Sequence, residues 1–367
     1  MDRARDAPLA AASPTVRWRG YARGPGTALT VVFLLLGAVL LWSNLRAVDW
    51  PAMADAMRRM PLAGVLAASL LTIASYAVYC AFDLLGRRTT GHPLDRGRVL
   101  AIGFVSHAAA LSLGPAGAGV RFRLALHHGL PAHLVAALWL FNVATNWLGF
   151  MVVAGIALAT RELSLPADWG FGHDALQWLG VALLAAVTVY LALCRFGHAL
   201  SMTVRGVEFR LPPLSVGALQ CGLSALNWCL IAGVIHQLLD QQVAFVHVLG
   251  AVLASALALA IVDVPAGLGV TETVFMTLLG SQVGSAQLLA ALMAYRAIYF
   301  VAPLVLACVV FALLEWHAHA GRAPRAVAPG TVIRPRRSPP ARSRARPPAE
   351  PPLRSRRSSS GWTRSRP

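Results

Sequence analysis

The chain has 367 residues, of which 57% are hydrophobic and only 13% charged, and its mean hydropathy is +0.62. This composition excludes an ordinary soluble globular protein and indicates a polytopic membrane protein. The formal net charge of +17 is concentrated near the C-terminus, where residues 321–367 hold thirteen arginines and a single acidic residue, Glu350.

The two ends of the chain differ in composition from its middle. Residues 1–26 are rich in Pro, Ala and Arg and predict a flexible tail, which its five arginines should keep cytoplasmic. Residues 27–316 contain the long apolar runs and predict a transmembrane domain. Residues 317–367 predict a disordered cytoplasmic tail. No folded module or aromatic interleaving accompanies its charge, so we expect no nucleic-acid partner.

Eight apolar segments succeed one another in the transmembrane domain. Six are long enough to cross ~30 Å of hydrocarbon, namely 27–45, 62–85, 133–159, 175–194, 213–239 and 285–314. The other two, 99–113 and 243–262, each end at a Pro-Ala-Gly-x-Gly-Val motif, and a further short apolar run, 273–283, follows the second motif. We therefore predict an all-α polytopic membrane protein with about six full spans and two interrupted segments.

The two copies of the motif, Pro115–Val120 and Pro265–Val270, lie 150 positions apart. The repetition indicates a duplicated unit whose broken segments lie at membrane depth. Backbone exposed at that depth is tolerated only where protein or a water-filled cavity satisfies its polar groups, so a functional site is expected there. Each motif segment either crosses the membrane or turns back as a re-entrant hairpin.

Arginine counts distinguish these two arrangements, because cytoplasmic loops carry the excess of positive charge. If both motif segments cross, the loops hold five arginines inside and eight outside. If both turn back, they hold nine inside and four outside. The count favours two opposed re-entrant helical hairpins in an inverted repeat, the first entering from the cytoplasm and the second from the other side.

The motif residues suggest an anion site. Glycines at these positions permit positive φ angles and close approach of a backbone or ligand; they are Gly117 and Gly119 in the first copy, and Gly267 and Gly269 in the second. Thr271 is predicted to cap a new half-helix, whose N-terminus suits a phosphate or carboxylate. Arg121 and Arg123 add full positive charges beside the first copy.

Three ionisable residues, Asp263, Glu272 and Arg296, lie in apolar surroundings, where charge is costly. Arg296 is positioned in the last span to pair with one of the two carboxylates, with Tyr299 beside it. Two interpretations remain open: the pair is a structural ion pair that holds the hairpin down, or the remaining carboxylate faces a cavity and contacts substrate. The sequence also predicts interhelical hydrogen bonds from three asparagines within spans, Asn142, Asn146 and Asn227. His107 is expected to be a satisfied polar group.

A family resemblance rests on the second motif and the last span. The residues that carry it are Pro265, Gly267, Gly269, Val270 and Glu272, followed by Tyr295, Arg296, Tyr299 and Pro303. They resemble the transmembrane region of lysylphosphatidylglycerol synthase/flippase proteins and their stand-alone bacterial relatives. The arrangement Gly117-x-Gly119-x-Arg121 is similar to that family's first motif. The resemblance covers residues 27–316.

The resemblance implies a lipid-translocating bundle of the bacterial inner membrane that acts on phospholipid or aminoacylated phospholipid head groups, with both termini cytoplasmic. Full-length synthases carry a soluble aminoacyl-transferase domain after the membrane part, whereas here about fifty residues follow it; we therefore expect no enzyme. No metal site and no cofactor are expected. Two alternatives remain, an accessory subunit of a separate envelope-lipid or glycan enzyme and a transferase component, and the sequence leaves the oligomeric state open.

Overall fold

A computed structural model of the chain describes residues 50–162, 172–196, 201–204, 207–262, 267 and 269–320. The predicted span 27–45, the N-terminal tail 1–26, residues 321–367 and Asp263 lie outside this part of the chain. The regular secondary structure of the described residues is helical apart from one pair of antiparallel strands.

The elements follow the apolar segments of the sequence closely. In chain order the helices are α1 (Trp50–Arg59), α2 (Leu62–Thr90), α3 (Arg96–Leu113), α4 (Pro115–His127), α5 (Ala132–Ala159), α6 (His173–Phe196), α7 (Leu214–Leu238), α8 (Phe245–Val262), α9 (Val270–Leu279), α10 (Ser285–Tyr295) and α11 (Ala302–Ala320). A π-helical segment, Arg296–Val301, joins the last two. Strands β1 (Ser201–Val204) and β2 (Val207–Arg210) pair antiparallel between α6 and α7, in a segment that the sequence indicated only as polar.

Six helices in the described part of the chain are long and apolar enough to cross a membrane, and they make the protein a multi-pass membrane protein. They are Leu62–Thr90, Ala132–Ala159, His173–Phe196, Leu214–Leu238, Phe245–Val262 and Ser285–Leu314. Five of them confirm predicted full spans; the sixth, Phe245–Val262, was predicted as half of a hairpin. Large apolar side chains are exposed on their outer faces, as lipid contact requires: Ile73 is 66%, Trp178 72% and Ile261 77% exposed.

The core forms where the long helices pack on one another. Helix α2 packs along α7, and α5 packs against both α6 and α7. Residues with little or no exposure, such as Ala68, Ala232 and Leu288, belong to one continuous apolar cluster that reaches from α2 to α11. The cluster fixes the mutual positions of the helices that carry the buried polar groups.

Each motif belongs to a pair of helices that pack against each other: the first motif begins α4, and the second leads from α8 into α9. In the first helix pair, α3 and α4, Val99 and Ile102 line the same small cavity as Arg121 and Ala125, so the chain doubles back. In the second helix pair, α8 and α9, Leu259 and Phe275 line a common cavity.

The two copies of the motif adopt different local structures. In the second copy Gly267 and Gly269 have positive φ, +62° and +82°, as predicted. In the first copy the positive φ belongs to Gly114, one residue before the motif, while Gly117 and Gly119 are helical. The expectation of a turn at those two glycines was wrong, because Pro115 is accommodated in the first turn of α4, where its missing N–H costs nothing. Gly117 instead permits close packing: a Cβ there would overlap the backbone of Ala109 and Ala110.

The last membrane helix is widened at Arg296–Val301, where the backbone adopts π-helical hydrogen bonding. The amide of Ala302 donates to the carbonyl of Ala297, five residues back. Such turns redirect backbone groups out of the regular helix ladder. Here the carbonyl of Tyr299 accepts a hydrogen bond from the Tyr76 hydroxyl of α2, at 3.0 Å.

Candidate functional site

A buried ion pair ties the first helix pair to α2. Both guanidinium Nη atoms of Arg121 contact the carboxylate of Asp83, with Nη2 at 3.1 Å from Oδ2. Asn142 of α5 donates from Nδ2 to Oδ1 of the same carboxylate, at 2.7 Å. Gly103 of α3 makes room for it, since a Cβ there would overlap Asp83 Oδ2. Four helices therefore meet at one buried carboxylate.

A second buried ion pair ties the second helix pair to the last span. Arg296 donates from Nε to Glu272 Oε1 at 2.7 Å and from Nη2 to the Gly267 carbonyl at 3.2 Å. The other carboxylate oxygen of Glu272 accepts from the backbone amide of Gly269, at 2.9 Å. The prediction that Arg296 meets Asp263 or Glu272 is thereby confirmed for Glu272. The capping of α9 by Thr271 is not observed, because the Glu272 side chain caps this end of the helix instead.

Each of the two ion pairs joins one arginine to one carboxylate. The acidic and basic partners, however, have opposite places relative to the motif in the two pairs. In the first, the arginine follows the motif glycines and the carboxylate comes from a neighbouring span. In the second, the carboxylate follows the glycines and the arginine comes from the neighbouring span. Each pair neutralises a charge that would otherwise be very costly in apolar surroundings. The guanidinium groups of Arg121 and Arg296 are thus engaged by carboxylates of the chain itself.

A central cavity of about 380 Å³ lies between the two helix pairs. His107 and Ala110 of α3 line it on one side, and Ser255 of α8 with Thr271 of α9 on the other. Its remaining polar and aromatic lining is Phe275 of α9 and, from the spans, Tyr79, Asn142, Asn146, Trp147, Asn227, Trp228, Tyr295, Tyr299 and Phe300. The cavity brings together side chains from both halves of the sequence.

A network of hydroxyl and amide groups forms one wall of the central cavity. The Ser75 hydroxyl donates to Asn227 Oδ1 at 2.7 Å and lies 2.8 Å from the Tyr299 hydroxyl. The ring of Tyr299 lies at a centroid distance of 5.2 Å from that of Tyr295 and 5.5 Å from that of Tyr76. These contacts, together with the bond from Asn142 to Asp83, confirm the interhelical hydrogen bonds predicted for the side chains of Asn142 and Asn227.

An apolar groove of about 560 Å³ lies beyond that wall, between α2, α3 and the last span. Tyr76 and Ile298 contribute to it from within the bundle, and Ile73 and Leu306, which are 66% and 55% exposed, contribute from the outside. The Thr72 hydroxyl in its lining bonds its own helix, to the Ala68 carbonyl at 2.9 Å. Tyr76 faces this apolar groove while Tyr299, in ring contact with it, lines the central cavity.

The predicted site residues divide into those that line the central cavity and those that support it. Thr271 and Tyr299 line it. Arg121, Gly267, Glu272 and Arg296 belong to the ion pairs, and Gly117, Gly119 and Gly269 shape the helix pairs. Arg123 is half-buried on α4, and Asp263 lies outside the described residues.

Sequence reasoning missed the role of Asp83. It lies seven residues before the end of α2, close to Arg87 and Arg88, and it was assigned no role from the sequence. Its position in the run Ala81-Phe82-Asp83-Leu84-Leu85 could have revealed this role, since a carboxylate inside an apolar run requires a partner. Its side chain is 5% exposed.

His92 lies next to the first ion pair, in the turn between α2 and α3. It lines a cavity of about 20 Å³ together with Asp83 and Arg121. Burial, and secondarily the positive charge of Arg87, hold the pKa of His92 below its ordinary value of 6.5, against the opposing effect of Asp83. Neutral His92 is therefore the form that the fold favours.

No group of three or more His, Cys, Asp or Glu side chains is arranged to hold a metal ion within the residues that the structure describes. The polar lining of the central cavity consists of amide, hydroxyl and imidazole groups, which serve for binding by hydrogen bonds.

Comparisons with known proteins cover nearly the whole membrane region. A family model described as the lysylphosphatidylglycerol synthase TM region matches residues 28–307, which include both helix pairs and both ion pairs. The inner membrane protein YbhN of Escherichia coli strain K12 is 36% identical over 298 residues, or 80% of this chain and 94% of the relative. The uncharacterized protein slr0712 of Synechocystis sp. is 29% identical over 294 residues, or 78% of this chain and 90% of the relative.

Proposed function

Since the chain belongs to the lysylphosphatidylglycerol synthase transmembrane-region family, we propose that it binds the polar head group of a membrane lipid in the central cavity and carries it between leaflets. The observation that carries this proposal is the central cavity of about 380 Å³, lined by polar, aromatic and aliphatic side chains between the two helix pairs. A cavity of that size, in which a few polar groups converge within a mainly apolar lining, matches the usual dimensions and character of a ligand site.

The apolar groove supports a lipid rather than a water-soluble ligand. A lipid needs a polar site for its head group and a neighbouring apolar path for its acyl chains. Two aromatic rings separate the groove from the central cavity. Tyr76 lines the groove, and Tyr299 lines the central cavity. Movement of these two rings would join the two compartments and let the acyl chains remain in an apolar environment while the head group crosses.

The two helix pairs enter the bilayer from opposite sides in this proposal, as re-entrant hairpins of an inverted repeat. Helix α9 has ten residues, which at 1.5 Å per residue reach only about half of a ~30 Å hydrocarbon core. The arginine count between spans favours the same arrangement, with the N- and C-termini in the cytoplasm. The name of the Escherichia coli relative, an inner membrane protein, supports the same membrane for this chain.

The ion pairs hold the helix pairs at the cavity in this mechanism. Glu272 connects the turn of the second helix pair to Arg296, and Asp83 connects the first helix pair to α2. The role assigned to the chain is binding and translocation, with no chemical step. Its partners are membrane lipids, of the anionic or aminoacylated phospholipid kind implied by the family.

Reconstitution into liposomes tests the proposal. The vesicles contain a trace of phospholipid that is fluorescent at the acyl chain, and a membrane-impermeant reductant reports which leaflet holds it. We expect the protein to increase the reducible fraction over time, and the Glu272→Gln variant to slow that increase. The matched control is Asp174→Asn, which removes an exposed partner of Arg161 far from the cavity.

Two results would contradict the proposal. The first is a rate no greater than in protein-free vesicles for phosphatidylglycerol, its lysyl derivative, phosphatidylethanolamine and a glycolipid alike. The second is a rate unchanged by Glu272→Gln and by Arg296→Ala in protein that remains folded. If those variants instead lose a co-purifying envelope-lipid enzyme, the chain acts as an accessory subunit.

A further inference from the structure

The described lining of the central cavity carries no formal charge. Its polar members are asparagine, serine, threonine, tyrosine and histidine side chains. The charged groups nearest along the chain are engaged elsewhere: Glu272, next to Thr271, pairs with Arg296, and Asp83 pairs with Arg121. A phosphate or an ammonium group placed among the lining residues would therefore be buried without a counter-ion, which is strongly unfavourable.

Three buried residues of the lining carry a polar atom that the described residues leave without a hydrogen-bond partner. These atoms are His107 Nε2, Asn142 Oδ1 and Ser255 Oγ, and the three residues are 7%, 2% and 4% exposed. The expectation that His107 is a satisfied polar group was therefore wrong for its Nε2 atom. Leaving such an atom unsatisfied is unfavourable, because its lost hydration is not replaced. Unsatisfied buried polar atoms of this kind are expected in a ligand-binding site, where the ligand supplies the missing hydrogen bonds.

The orientation of Asn142 restricts what that ligand can be. Its Nδ2 atom donates to the Asp83 carboxylate, which can only accept, so its Oδ1 atom is left as an acceptor that requires a donor. An ionised phosphate or carboxylate cannot donate. A hydroxyl group donates and accepts, and it suits Asn142 Oδ1, Ser255 Oγ and either tautomer of His107.

Aromatic side chains accompany these polar atoms. Trp147, Trp228, Tyr295 and Tyr299 contribute rings to the lining. Trp228 is fixed in position, because its Nε1–H donates to the Asn146 carbonyl at 3.1 Å. Aromatic rings of this kind offer large, rigid apolar contact surfaces with polar edges. A sugar ring has complementary features, C–H groups on its faces and hydroxyl groups around its rim.

We propose that the central cavity takes the uncharged, hydroxyl-rich head group of a glycolipid, with a sugar ring packed on the aromatic faces and its hydroxyls bonded to His107, Asn142 and Ser255. This inference rests on the proposed function, because it assumes that a lipid head group enters the cavity. It keeps the binding of a lipid head group but replaces the anionic or aminoacylated phospholipid implied by the family with another chemical class: a sugar rather than a charged phosphate or amine.

A competition among head groups tests the inference with the full chain in phosphatidylcholine nanodiscs. Four lipids with identical acyl chains are titrated in separate series: a monoglucosyl diacylglycerol, phosphatidylglycerol, phosphatidic acid and phosphatidylethanolamine. Binding is read from the shift in apparent melting temperature at each mole fraction. We expect the glucosyl lipid to reach half of its maximal shift at a mole fraction at least tenfold lower than phosphatidic acid or phosphatidylethanolamine.

The variant Ser255→Ala tests whether the glucosyl lipid binds at the central cavity. Because the described residues give Ser255 Oγ no partner, its removal should leave the melting temperature of the unliganded protein unchanged or raised, while weakening glucosyl-lipid binding about fivefold to tenfold. The control is Thr188→Ala, whose hydroxyl bonds the Leu184 carbonyl within α6, outside both the central cavity and the apolar groove. This control should leave both quantities unchanged.

The outcomes separate the two proposals. If phosphatidic acid or phosphatidylglycerol binds as tightly as the glucosyl lipid, the uncharged head group is refuted and lipid binding stands. If Ser255→Ala leaves glucosyl-lipid binding unchanged, the site is refuted while the preference stands. If none of the four lipids shifts the melting temperature above the phosphatidylcholine background, both the inference and the proposed function fail.

Discussion

Asp83 on α2 and Arg121 on α4 form a doubly contacted ion pair across 38 residues of sequence, with both side chains less than a tenth exposed. The pair joins the helix that follows the first motif to a membrane span. Removing one partner leaves an uncompensated charge in an apolar interior, whereas removing both leaves none.

The Asp83→Ala variant should therefore lose ~3–5 kcal/mol of stability, with a marked drop in apparent melting temperature in detergent. The double variant Asp83→Leu/Arg121→Met should recover most of that loss. Asp174→Ala, which breaks an exposed pair, should cost no more than ~1 kcal/mol. An Asp83→Ala protein as stable as the wild type would show that the pair does not hold α4 in place.

Glu272 has two functions in the structure, and conservative substitution separates them. Glutamine at this position keeps an oxygen for the Gly269 amide but removes the negative charge that faces Arg296. Glu272→Gln should thus be less destabilising than Glu272→Ala, since only alanine removes the cap as well. Thermal unfolding of the two variants in the same detergent compares them, and equal losses would mean that the bond to the Gly269 amide contributes nothing.

Gly117 is predicted to be intolerant of any side chain. A Cβ at this position overlaps the backbone of Ala109 and Ala110, so Gly117→Ala should force α3 and α4 apart and cost ~1–3 kcal/mol. Gly222→Ala is the matched control on α7, where a Cβ meets nothing within 4 Å and should stabilise the helix by up to ~1 kcal/mol. Similar melting temperatures for the two variants would argue against close packing of the first helix pair.

His92 should make stability depend on pH. Its folded pKa lies below its ordinary value of 6.5, so the unfolded chain binds a proton more readily than the folded one. Stability is complete above about pH 6.5 and declines as the pH falls through that value toward the folded pKa. Replacing His92 with glutamine should flatten the decline in melting temperature between pH 8 and pH 5. An unchanged slope would assign the acid sensitivity to other groups.

Opposed re-entry of the two helix pairs predicts a labelling pattern. Ala132 and Ser281 are exposed and lie just after the first and the second helix pair. Each is replaced by cysteine in a separate variant. In a background without the five native cysteines, the first should react with an impermeant maleimide only from the cytoplasmic side and the second only from the opposite side. Labelling of both from one side would refute the inverted arrangement.

The helices were predictable because apolar length alone dictates them in a membrane. Residues 133–159 and 213–239 were placed to within one residue of Ala132–Ala159 and Leu214–Leu238. The pairing of Arg296 with Glu272 was also accessible, since a charge in an apolar run needs a partner. Asp83 obeys the same rule, and its partner Arg121 lies in the segment that follows the first motif.

Local backbone geometry was less predictable than the spans. The same six-residue pattern forms a turn with positive φ at Gly267 and Gly269, yet in the first copy it continues as the helix of Gly117 and Gly119. Gly114, just before the first copy, provides the turn instead, and nothing in the motif itself indicates this difference. The central cavity required the three-dimensional structure, because its lining comes from residues as far apart as Tyr79 and Phe300.

The π-helical turn at Arg296–Val301 accommodates one more residue than a regular helix of the same rise. Deleting a single residue there would let the segment close into a regular helix, so that Pro303 and Leu306 keep their places in the apolar groove and Tyr295 keeps its place at the central cavity. Inserting a residue elsewhere in the same span would leave its hydropathy almost unchanged, yet it would rotate everything beyond the insertion by about 100°. The alignment of the two compartments thus depends on a residue count that no hydropathy profile would detect.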